Sequence, residues 1–153
     1  MRTFGRLRSL LAGGILLVAV AGCAGGGGDD SLEIENEWQD QITDATSNRP
    51  EGCKSGVGDG CEAHVKEVET ILGRLHEAIQ KRDDKAGFKD TLDRVTTLDG
   101  KIADYYGKTC ALVAEVTTDP ASTQRFFTCT QLYAGIMSTA NEIAGAHLRP
   151  SDT

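Results

Sequence analysis

Aromatic side chains are scarce in this chain, at four Phe, three Tyr and a single Trp, and proline appears only as Pro50, Pro120 and Pro150. Sheets draw on aromatic and β-branched residues, so this scarcity, beside abundant Ala, Glu, Asp and Leu, argues against a β fold and for helices. Positive charge is also short, with 16 Lys and Arg against 23 Asp and Glu. Arg2, Arg6 and Arg8 precede the first acidic residue, Asp29, so a chain without its first 22 residues keeps 13 basic against 23 acidic groups, a net charge of −10. Such a surface lacks the basic patches that displace counterions from nucleic acid, and no nucleic-acid partner is expected.

Motifs that carry chemistry are missing as well. Neither G-x-S-x-G nor H-E-x-x-H occurs, and no motif sets a Ser, Cys or His beside a base, so no enzyme is expected. The stretch CKSGVGDG puts its lysine ahead of the glycines, the reverse of a phosphate loop, and reads as a flexible disulfide loop. Asp59 alone cannot make a calcium loop. Glu67, Asp90, Asp93 and Asp104 fall on outward helix faces among lysines, a solvated surface. His64 flanks an apolar seam, while His76 and His147 read as solvated edge residues. No cofactor and no metal are expected.

What is present begins with an apolar run, Leu10 to Ala21, behind the three arginines: the layout of a secretory signal, too short to span a bilayer permanently. It ends at Val20-Ala21-Gly22-Cys23. This boundary resembles the bacterial lipobox, and the resemblance implies a signal peptide over 1–22, with Cys23 as the diacylated first residue of the mature chain. Two acyl chains give stable anchoring where one does not. Gly25 to Gly28 then read as a tether closing a lipidated segment over 23–30. The expected location is the cell membrane or outer membrane, on the extracytoplasmic side; Ala24 carries no acidic retention signal.

Asp30 and Glu33 are spaced as a capping box, and Ile34, Trp38 and Ile42 follow every four residues, predicting a short helix over 31–46. Residues 47–61, rich in glycine, read as loop. Val65, Val68, Leu72, Leu75 and Ile79 form one helical seam, and Phe88, Leu92, Val95, Leu98, Ile102 and Tyr106 a second. A turn at Lys81 to Lys85, capped by Asp83 or Asp84, separates them, with one bent helix as the alternative. The second seam runs past Gly107 to Val113 and Val116. Asp119 as N-cap and Pro120 at the first helical position then open a third, through Phe126, Cys129, Tyr133, Met137, Ala140 and Ala144. The predicted fold is all-α: an up-and-down three-helix bundle over 62–147 with a tail at 148–153, or a four-helix bundle if the N-terminal helix packs on it.

Four cysteines remain after Cys23, and in an exported chain disulfides are the default. Cys110 and Cys129 are equidistant from the Asp119-Pro120 turn and lie on facing seams, which favours that pair and leaves Cys53 with Cys61; the crossed pairings stay open because all four gather at one end. The C-x7-C and C-x18-C spacings lack the knuckle of a zinc site.

Leu98, Tyr105 and Leu112 make a second apolar stripe, with Phe127, Leu132 and Ile136 beside the third seam. Either the first helix covers them or they form a groove for a partner helix. The outline is similar to that of the pilotins, small helical disulfide-bonded lipoproteins that escort secretin subunits by gripping a helix, with TDPASTQRFFTCTQL a loosely comparable stretch. The resemblance implies a non-catalytic interaction module with an envelope-protein partner; lipoproteins that block phage or plasmid entry share the outline. The alternative is a small-molecule or lipid-binding protein with a cavity near Tyr105, Leu112 and Phe127.

Overall fold

The computed structural model describes residues 29–113 and 118–150, and every regular element among them is helical. Helices α1 (Asp29–Ser47), α2 (Asp59–Gln80), α3 (Lys89–Gly107) and α4 (Pro120–Ala146) pack as a closed ring, α4 returning against α1. Each neighbour runs antiparallel to the last. Across α3 and α4, Arg94 meets Glu142 at 2.6 Å while Lys101 meets Thr139 at 2.6 Å. Across α1 and α4, Thr46 reaches Asn141 and Arg149 reaches Glu35. The protein is an up-and-down four-helix bundle, with the N-terminal helix as its fourth member.

Each helix buries the stripe its spacing dictates. Ile34, Trp38, Ile42 and Ala45 of α1 join Val65, Val68, Leu72, Leu75 and Ile79 of α2, Val95, Leu98 and Ile102 of α3, and Tyr133, Ile136, Ala140 and Ile143 of α4 in one core. The Asp119 carboxylate accepts from the Ser122 N–H at 2.8 Å, with Pro120 opening α4, as the sequence predicts.

Several boundaries differ from the periodicity. Helix α1 starts at Asp29, which puts Asp30 inside the helix. Helix α2 starts at Asp59, three residues before the expected 62, because Gly58 takes φ 91° there. Asp84 caps nothing with its side chain: the Arg82 guanidinium grips it at 2.7 and 2.9 Å, holding its carboxyl below the usual range. A 3-10 turn, Lys85–Phe88, leads into α3. Helix α3 stops at Gly107 and does not continue to Val113; Thr109 adopts a left-handed conformation (φ 50°), and a 3-10 turn, Cys110–Leu112, follows. That reversal delivers Cys110 to its disulfide partner, which apolar spacing cannot register. Val116 lies outside the described residues. The expected tail is packed where described: Leu148 is buried, Arg149 pairs with Glu35, and a Cβ on Gly87 would meet Pro150 at 2.8 Å.

Gly73 and Gly100 sit in exposed helix interiors where an added Cβ meets nothing within 4 Å. Gly73→Ala and Gly100→Ala should each stabilise the fold by about 0.5–1 kcal/mol, through the backbone entropy of the unfolded chain. Denaturant midpoints of the two variants check this; no change would show that the helices do not gain from alanine there.

Candidate functional site

All four core cysteines lie at one end of the bundle. Cys53 bonds Cys61 and Cys110 bonds Cys129, with Cα atoms 4.5 and 5.5 Å apart, so the preferred pairings hold and the crossed ones do not. The Gly58 N–H donates to the Cys110 carbonyl at 3.3 Å and joins the two bridges.

The loop carrying Cys53 is not the flexible segment its glycines suggested. Cys53, Gly56 and Val57 are buried, and the loop closes the bundle end like a lid. Glycine makes this possible by letting backbone approach backbone. A Cβ on Gly60 would stand 2.7 Å from the Gly52 carbonyl carbon, and one on Gly56, whose φ is 83°, would stand 2.9 Å from the Tyr133 Cβ. Polar contacts hold the lid down: Tyr105 donates its hydroxyl to the Gly56 carbonyl at 3.2 Å, and Thr130 donates to the Ser55 carbonyl at 2.7 Å.

Under the lid, His64 is 1% exposed and bonded at both ring nitrogens. The Ala45 carbonyl can only accept, so Nε2 carries the proton; Nδ1 then accepts from the Tyr133 hydroxyl at 2.7 Å. One imidazole thus ties together α1, α2 and α4. Sequence spacing placed His64 beside the seam and missed this role, because no pattern in one helix reveals a carbonyl on another. Burial pushes the Tyr133 phenol above its ordinary pKa, against the opposing influence of Arg49, whose guanidinium lies 5.2 Å from the ring centre. Tyr133→Phe removes the donor and leaves Nδ1 unpaired in the core, an expected loss of about 1–3 kcal/mol. Urea unfolding of that variant is the check; a neutral result would mean that Nδ1 finds another donor. The other two histidines are half-buried and separate: His76 pairs with Gln80 at 3.3 Å, and His147 ends α4, its carbonyl accepting from the Thr91 hydroxyl.

The expected partner surface divides. Leu98 and Tyr105 are fully buried and belong to the core, so they line no exposed stripe. Leu112 and Phe127 are 79% and 55% exposed, the large apolar side chains left outside among the described residues. Phe127 packs edge-on against Phe126 at 5.7 Å, whereas Leu112 stands at the rim of a half-open cleft of about 240 Å³. Glu62, Tyr106, Ala111 and Leu112 form its walls and the buried Tyr105 lies behind. Tyr106 donates its hydroxyl to Glu69 at 3.0 Å. Burial, with Glu62 nearby, pushes the Tyr105 phenol up to about 12, and burial together with the Glu69 bond pushes Tyr106 up as well. A larger cleft of about 450 Å³ runs between α3 and α4, where Arg94 and Lys101 are already engaged by Glu142 and Thr139.

Among the described residues no three His, Cys, Asp or Glu side chains gather as a metal site, and no helix is long and apolar enough to cross a membrane. Fold and site together define a four-helix bundle whose cystine-linked end carries a lid, a buried histidine bridge and one cleft with an apolar rim. No family model, curated protein or solved structure matches the chain.

Proposed function

We propose that this protein is an exported lipoprotein, anchored through Cys23, that acts as a non-catalytic interaction module in the cell envelope. The observation that carries the reading is the sequence Val20-Ala21-Gly22-Cys23 behind a basic and apolar leader, followed by four glycines and then, from Asp29, by the first helix. The two disulfides support an oxidising compartment. The fold supports a direction of display. Helix α1 begins at the end opposite the cystines and runs 19 residues, about 28 Å, toward them. A chain anchored ahead of Asp29 enters the bundle at the end opposite the cystines, which leaves the cystine end, with Leu112 and its cleft, free to meet an envelope-protein partner.

Intact mass of the protein extracted from membranes of its host tests the anchor. A mass for residues 23–153 plus acyl chains is the expected result, with four cysteines open to alkylation only after reduction. An unacylated chain, or Cys23→Ser protein that still sediments with membranes, would overturn the reading.

A further inference from the structure

The half-open cleft beside Leu112 combines features that select a ligand. Its carboxylate, Glu62, sits in the first turn of α2, where the helix dipole favours negative charge, and it makes no ion pair. Lys66, one turn further along α2, is exposed and also pairs with no carboxylate, and at the edge of the cleft Arg125 donates to the Thr109 hydroxyl at 3.2 Å. Beside Glu62 the cleft offers the half-buried Tyr106 ring, with Tyr105 packed edge-on behind it at 6.0 Å, and the apolar Ala111 and Leu112. No cation lines it.

A carboxylate at one side, an aromatic face and an apolar rim match a side chain with a long aliphatic stem and a cationic head. The volume of about 240 Å³ takes one such side chain. A chain of net charge −7 also attracts cationic partners at long range. Resting on the reading of this protein as an interaction module, we infer that the cleft receives a lysine or arginine side chain from a basic, partly apolar segment of a partner protein. The charged head meets Glu62, and the stem lies along Tyr106 and Leu112.

The test uses the full chain extracted from membranes and a fluorescein-labelled hexapeptide of alternating leucine and lysine, read by anisotropy. Glu62→Gln and Leu112→Ala should each weaken binding by about tenfold, the size of effect a local charge pair or apolar anchor has at an interface. Glu67→Gln, on the outward face of the same helix, should change it less than about twofold, as for a screened surface charge. Neither test position belongs to the buried core: Leu112 is 79% exposed, and Glu62 is half-buried with no ion pair among the described residues. No peptide binding, or equal losses at Glu62 and Glu67, would overturn the inference by reducing it to diffuse charge attraction. Displacement of the peptide by choline at lower concentration than by N-acetyl-lysine amide would also overturn it, reassigning the cleft to a small quaternary cation. Acylation is read separately by mass, so an unlipidated chain that binds the peptide fails only the anchor, and a lipidated chain that ignores it fails only this inference.

Discussion

Gly56→Ala is expected to cost about 2–5 kcal/mol, the sum of a left-handed backbone forced on alanine and an overpacked contact. Gly56 holds φ 83°, and a Cβ there would lie 2.9 Å from the Tyr133 Cβ and 3.2 Å from the Thr130 Cα. Neither neighbour can yield cheaply, since one is the root of a buried side chain and the other is helix backbone. Any relief that shifts Tyr133 also disturbs its bond to His64, so the damage should spread from the lid into the contact between α1 and α2. Thermal unfolding followed by circular dichroism measures the loss. Gly58→Ala is the comparison: its φ is 91°, but its Cβ meets nothing within 4 Å, so it should carry the backbone cost without the clash. Equal losses at the two positions would show that the lid does not press on Tyr133.

Replacing Cys110 and Cys129 together by serine should remove about 3 kcal/mol, the loop-closure entropy of roughly 20 residues. The change has a structural reading as well. Thr109 is the one described non-glycine residue with positive φ, and it turns Cys110 toward its partner. Without the bridge, the apolar spacing of α3 favours continuation beyond Gly107, so the variant should show the same or higher helical signal at lower stability. Denaturation under non-reducing conditions, with far-ultraviolet dichroism of the native baseline, tests both parts. A loss below 1 kcal/mol would mean that the native fold, not the bridge, fixes the turn.

The same residue shows where the sequence stopped being legible. Helix existence and the buried face came through because they depend on local spacing: Ile34, Trp38 and Ile42, or Val65 through Ile79, each bury one stripe whatever they pack against. The cap at Asp119 was readable for the same reason. The cystine pairing needed one more step, the mirror relation of two antiparallel helices about a turn, and that step held. Thr109, Gly56 and His64 needed knowledge of a distant element. The first turns to meet a disulfide, the second to let a loop touch Tyr133, and the third to reach a carbonyl on α1. The apolar stripe, which the spacing left open between covered core and partner groove, divided on similar grounds. Spacing gave Leu98, Tyr105 and Leu112 equal claim to one stripe, but the helix ended before Leu112, so the first two turned inward and the third was left at a cleft.

The opposed placement of helix start and cystine end also decides how the molecule answers force. A pull on the chain ahead of Asp29, resisted at the cystine end, loads α1 in shear along its axis. Ile34, Trp38, Ile42 and Ala45 then carry the strain together, with the Glu35–Arg149 pair at the pulled end. Peeling, in which contacts give way one after another, would require the resistance at the same end as the pull. Both cystines lie at the resisting end, where each takes the loop it closes, with sequence separations of 8 and 19, out of the length that a pull can extend.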